Sequence, residues 1–170
     1  MYVRVADMDD LPQLKAVYGK IIDAMNESGI QIWDDVYPYE FFPEDIENKR
    51  LYVLVENNEI ISACALCKAH AGAGCMAWED NQGKALYLDR LGVNVNYARK
   101  GIGSMMLDKA MALAKEKGAT YLRLFVVDIN EPAINLYRKN GFEKAGGIYD
   151  EMIEDDLVLH EFGFETRTSR

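Results

Sequence analysis

The sequence predicts a mixed α/β fold, and three observations carry that prediction. Apolar residues recur at helical spacing in two long segments, one from Leu11 to Met25 and one from Ile102 to Ala114. Short runs rich in Val, Leu, Ile and Tyr lie between and around them, separated by Gly, Asn and Pro. The second half reads strand, helix, strand, helix, strand, an order that requires a right-handed crossover and parallel neighbours.

Taken in order, "MYVRVA" predicts a short edge strand. Residues 7–27 follow as a helix whose apolar side is Leu11, Leu14, Val17, Tyr18, Ile21, Ile22 and Met25. The next segment, "SGIQIWDDVYPYEFFPED", is irregular and aromatic, with Pro38 and Pro43 as breakers, and "PEDIENK" closes it as a short helix. "RLYVLVENNEIISACALCKA" predicts a hairpin turning on Glu56-Asn57-Asn58-Glu59. "KALYLDRLGVNV" is a further strand.

A long helix is predicted from Lys100 to Lys117, with Ile102, Met105, Met106, Lys109, Ala110, Leu113 and Ala114 carrying its period and Gly118 capping it. "TYLRLFVV" is almost uniformly apolar, as a buried parallel strand should be. "NEPAINLYRKNGF" is a second helix, with Asn130 at its cap, Pro132 in the first turn and Gly141 after its end. "GIYDEMIEDDLVLHEFGFE" closes the chain as a hairpin, with His160 assigned to packing.

Composition sets the outer limits. The 170 residues, with no repeat or linker, are read as a single domain, 1–170. Apolar residues make up 49% of the chain, enough for a core, yet no run approaches the roughly 18 needed to cross a membrane. The N-terminal residues lack the pattern of a secretory signal, and three cysteines do not make a disulfide framework, so a reducing cytoplasm is expected. A net charge of -9 argues against nucleic acid as a partner and favours cationic substrates.

The most informative short stretch is "ARKGIGSMM", residues 98–106, where two glycines and two cations open the long helix. A strand feeding a helix through glycines exposes backbone N–H groups and the positive end of the helix dipole, which suits a phosphate or pyrophosphate. It is not a P-loop, because no Lys-Ser or Lys-Thr follows, and the third glycine of a dinucleotide loop is replaced by Met106.

The linked series "LDRLGVNVNYARKGIGSMML" and "LRLFVVDINEPAINLYRKNGF" resembles the GNAT superfamily of acetyl-CoA-dependent N-acetyltransferases. The resemblance is close over roughly residues 85–142 and rests on strand order elsewhere. It implies a central mixed, mostly antiparallel twisted sheet flanked by helices, with a β-α-β-α-β cofactor-binding half. One departure stands out: the family's Arg or Gln falls at Ala98 and its following Gly at Arg99.

The resemblance implies acetyl-CoA as cosubstrate, its pyrophosphate held by Arg99, Lys100, Gly101, Ile102, Gly103 and Ser104. Main-chain groups of Leu91 and Val93 would pair with the pantetheine arm, one freed N–H facing the thioester oxygen. Asn130 would hold the cofactor from the opposite side. Tyr137 matches the tyrosine that many members use as general acid, and a phenol of pKa about 10 can protonate a thiolate of pKa about 8.5. Asp89 lies where many members place a Glu base; a solvated ion pair with Arg90 is its structural alternative.

The acceptor is expected to be a small primary amine. Trp33, Asp34, Tyr37 and Trp78 are its candidate binding residues, since aromatics beside carboxylates suit an organic cation. Direct attack in a ternary complex is expected, because no cysteine sits beside a paired His. Two rivals differ in class. Cys64, Cys67, His70 and Cys75 have the composition of a Cys3His zinc site, but not its usual spacing, and no metal is assigned. A non-catalytic acyl-CoA-sensing module of the same fold is the other. Exposed apolar loops and the terminal hairpin are compatible with a homodimer.

Overall fold

The computed structural model describes residues 1–169. Its strands are β1 (Tyr2–Val5), β2 (Leu51–Glu56), β3 (Glu59–Cys67), β4 (Ala85–Val93), β5 (Tyr121–Val127), β6 (Glu143–Lys144), β7 (Tyr149–Glu154) and β8 (Leu157–Arg167). Its α-helices are α1 (Leu11–Glu27), α2 (Phe42–Glu47), α3 (Ile102–Glu116) and α4 (Glu131–Lys139). Hydrogen-bonded neighbours run β1-β2-β3-β4-β5-β8-β6, with β7 on β8. The sheet is mostly antiparallel, and β4 with β5 is a parallel pair.

Two compact units divide the chain. The first comprises Met1–Leu66 and Arg90–Lys109. Here Pro12 starts α1, and Leu14, Val17, Tyr18, Ile21 and Ile22 are buried as the spacing predicts, with Leu11 and Met25 half-buried at the ends of the stripe. β2 and β3 form the expected hairpin, and Asn57 and Asn58 take its two left-handed positions, φ 51 and 64. Both strands are buried almost throughout, as are Tyr18 and Phe42, whose rings meet edge-on at 4.9 Å.

A polar knot sits in this core. Asp45 is fully buried and accepts two hydrogen bonds from Arg90, both 2.7 Å, and one of 2.7 Å from Arg50. The Tyr18 hydroxyl donates to the Arg90 carbonyl, with the Ala63 carbonyl 3.2 Å away. Burial pushes that phenol well above its ordinary pKa, so it remains a donor. Arg90 itself stands at φ 56, a left-handed residue inside β4.

The second unit comprises Cys67–Asp89 and Ala110 onward. Parallel β4–β5 pairing covers Ala85–Leu88 with Tyr121–Leu124, and β5 pairs with β8 over its whole length. The two-residue β6 was not expected from the sequence; it pairs Glu143 and Lys144 with Glu165 and Phe164. Leu122, Leu124 and Phe164 form the buried centre. Among the described residues no helix is long and apolar enough to cross a membrane.

Candidate active site

Register and alternation build one face of the second unit. Tyr87 pairs with Arg123, and Arg123 with Glu165. Side chains two residues apart share a face, so Asp89 follows Tyr87, and Phe125 and Val127 follow Arg123. On β8, Gly163 lies opposite Phe125 and Glu161 opposite Val127. Tyr149 of β7 is the register partner of Glu161.

At one end of this face the charges are satisfied. Arg123, 2% exposed, meets Glu165 at 3.2 Å and donates to the Asp80 carbonyl at 2.7 Å. The second Glu165 oxygen accepts from the Glu79 N–H at 2.7 Å.

The other end is aromatic and acidic. His70 stacks on Phe125 at 4.0 Å between ring centres, and Tyr149 meets it edge-on at 5.9 Å. Gly72 makes this possible, because a Cβ there would lie 2.6 Å from the Tyr149 ring and 2.8 Å from that of Phe125. The Gly72 N–H donates to His70 Nδ1 at 3.0 Å, which assigns the proton of the neutral ring to Nε2. Nε2 lies 3.8 Å from Asp89 Oδ1. Asp89 is therefore placed beside an imidazole whose tautomer the backbone sets.

Glu161 is the least expected member. It is 7% exposed, and its Oε2 has no hydrogen-bond partner. Burial pushes this carboxyl up to about 9; the hydrogen bond and charge of Glu151 add to the effect, as does the charge of Asp89. Glu161 thus holds a proton at neutral pH. The sequence reading missed it, although "EFGFE" carried a trace of it: Glu161 and Glu165 alternate with Phe162 and Phe164 about Gly163.

The remaining expected residues fall in both units. In the first, Leu91 and Val93 are half-buried on β4 beyond the end of its ladder with β5. The turn 98–101 is exposed, with Arg99 at φ 63 and Gly101 at φ 73. A Cβ on Gly101 would meet nothing within 4 Å, so the glycine serves backbone shape rather than space. Ile102 is buried and anchors the start of α3, while Gly103 and Ser104 are half-buried beside it. Lys100 lies over the Tyr97 ring at 5.2 Å, which leaves the Arg99 and Lys100 charges at the exposed start of the helix. A turn of this shape and charge fits an anionic phosphate.

Trp33 stacks on Tyr18 at 5.7 Å, and Tyr37 packs against Trp33 and Phe41. Asp34 Oδ1 accepts from the N–H groups of Val36 and Tyr37, both at 2.8 Å, and so shapes its own loop.

In the second unit Asn130 caps α4 by accepting from the Ala133 N–H at 3.3 Å. Tyr137 is 7% exposed, against Phe142 and Phe164. Trp78, expected from the sequence to line the acceptor site, packs edge-on against Tyr87 and Phe125. Its ring is 8% exposed, its Nε1 donates to the Ala73 carbonyl, and Arg123 covers one face at 4.6 Å. His160 is exposed rather than packed, and pairs with Asp150 at 2.6 Å. That partner raises its pKa. Cys64 and Cys67 are buried in β3 and Cys75 is exposed. Among the described residues no three His, Cys, Asp or Glu side chains gather to hold a metal.

The sequence profile of the Acetyltransferase (GNAT) family matches residues 18–142. YwnH of Bacillus subtilis (strain 168), provisionally named a phosphinothricin acetyltransferase, is 26% identical over 152 residues, 86% of each chain. The thialysine N-epsilon-acetyltransferase of Bos taurus is 33% identical over 75 residues, 44% of each chain. Among solved structures, a GNAT-family acetyltransferase from Streptococcus agalactiae 2603 superposes with a TM-score of 0.83 at 15% identity, covering 99% of this chain and 96% of its own. That likeness speaks for the fold, and the profile match over more than half the chain speaks for the family. The chain belongs to the GNAT family and is an N-acetyltransferase.

Proposed function

We propose that the chain, acting as one transferase domain over residues 1–170 in the cytoplasm, moves an acetyl group from acetyl-CoA to the primary amine of a small molecule by direct attack in a ternary complex. The observation that carries this reading is the placement of Asp89, 3.8 Å from His70 Nε2 on an aromatic and acidic face. Acetyl-CoA supplies the activated acetyl thioester. The resemblance to the family assigns its pyrophosphate to Arg99, Lys100, Gly101, Ile102, Gly103 and Ser104, its pantetheine arm to the main chain of Leu91 and Val93, and a further contact to Asn130.

The chain's own residues supply the proton chemistry. An alkylamine of pKa near 10.4 is only about one part in a thousand neutral at pH 7.4, a deficit of roughly 4 kcal/mol. Asp89 removes the ammonium proton, directly or through a water, and His70 orients its carboxylate. A freed N–H on β4 polarises the carbonyl as the N–C bond forms and the C–S bond breaks. Tyr137 returns a proton to the departing sulfur. Trp33, Asp34 and Tyr37 remain the aromatic and acidic candidates for recognising an organic cation. The relatives' names support an amine acceptor, since one states acetylation at the ε-nitrogen of thialysine.

Thiol release from acetyl-CoA in the presence of primary amines tests the reading, with Asp89→Asn as the diagnostic variant. A base matters only while the amine is protonated. The variant should lose about 100-fold in kcat at pH 7 and recover most of that near pH 10. A pH-independent loss would remove Asp89 from the role of base.

A further inference from the structure

Two glutamates four residues apart on one face of β8 have opposite surroundings. Glu165 is paired with the buried Arg123 and with a backbone N–H. Glu161 is just as buried, at 7% exposure each. Its Oε2 has no partner, and the groups that act on it, Glu151 and Asp89, are themselves acidic. A buried carboxyl oxygen left unpaired is costly, and a native fold retains one where water, an ion or a ligand completes it or where it serves a function.

The missing partner is positive, because the neighbouring Glu151 and Asp89 leave this end of the face acidic. It is organic rather than metallic, since no set of three His, Cys, Asp or Glu side chains is gathered for a metal among the described residues. The neighbouring surface is aromatic: Tyr149 stands opposite Glu161 in register, and the rings of His70, Phe125 and Tyr87 adjoin one another. Aromatic faces beside carboxylates suit an alkylammonium group.

We propose that Glu161, with Glu151, is a cation subsite for the acceptor, so that the substrate is a diamine: one nitrogen reacts at Asp89 and the second, an ammonium, is held by Glu161 Oε2 against Tyr149. This inference rests on the reading that the chain acetylates a small amine, and extends it by naming the acceptor's second charge. The arriving ammonium takes the place of the proton that the two glutamates otherwise share. Glu161 is a specificity residue, with no part in the bond changes.

Calorimetric titration tests the subsite without turnover. The protein, free and saturated with coenzyme A, is titrated with diamines from 1,3-diaminopropane to 1,6-diaminohexane and with the monoamine of each chain length. At least one diamine should bind about 10-fold or more tighter than its monoamine, as expected for a charge-assisted contact. In Glu161→Gln that ratio should fall to about twofold or less. Glu151→Gln should reduce it in the same direction, and carries the test if the first variant fails to fold. Equal affinities in the wild type, no diamine binding in either state, or an unchanged ratio in a folded variant would each overturn the proposal. Thiol release then separates the two claims. Diamines that bind but release no coenzyme A would leave the subsite standing and remove the transfer reading. Monoamines acetylated as well as diamines would do the reverse.

Discussion

At the scale of single residues, the proposed roles of Tyr137 and Glu161 give direct tests. Tyr137→Phe keeps the ring that packs on Phe142 and Phe164 but removes the proton donor. It should retain acetyl-CoA binding in a calorimetric titration and lose about 100-fold or more in kcat; unchanged turnover would take Tyr137 out of its role. Glu161 gives a stability test with a definite sign. Its carboxyl is raised to about 9 in the folded protein, against about 4.3 in an unfolded chain. Between those values the folded state holds a proton that the unfolded state has lost, so the contribution of this group to stability declines as pH rises through that window. Glu161→Gln removes the decline. Its melting temperature should exceed that of the wild type at pH 8, with the gap closing toward pH 4.5. Asp89 and Tyr137 are proposed from the sequence because each sits in a stretch that resembles the family's motifs. Glu161 is not, because its character comes from partners on β4 and β7 that only strand register supplies.

At the scale of elements, the helices and most strands follow from periodicity and punctuation. The buried stripe of α1, the Asn57–Asn58 hairpin turn and the Asn130 cap of α4 all stand where the spacing put them. The loop from Cys67 to Lys84 was least legible. Gly72, Trp78 and Glu79 are surface-like in sequence, yet Gly72 and Trp78 are buried against residues far along the chain. Gly72→Ala should destabilise the fold by about 1–3 kcal/mol in denaturant unfolding, because the Tyr149 and Phe125 rings must shift. The turn that opens α3 makes a different prediction. Arg99 and Lys100 are exposed there, so replacing both with Ala should leave stability within about 0.5 kcal/mol. The same double variant should weaken acetyl-CoA binding by about 10-fold and flatten its dependence on salt. An unaltered affinity would show that the cations compensate nothing at the position where Ala98 departs from the family.

On the scale of the whole molecule, charge is the property that composition reveals most directly. A net charge of -9 concentrates cations near the surface and repels anions at low ionic strength. Raising salt should therefore lower kcat/KM for a diamine more steeply than for a monoamine of the same length. A flat response would mean that the acidic surface serves solubility and not recognition.

The most direct test of the account is mass spectrometry of the products formed when the purified protein is incubated with acetyl-CoA and an equimolar mixture of alkyl monoamines and diamines. Mono-acetylated diamine should be the main product, with one coenzyme A released for each acetyl group transferred. Intact acetyl-CoA, or coenzyme A released with no acetylated amine, would contradict it.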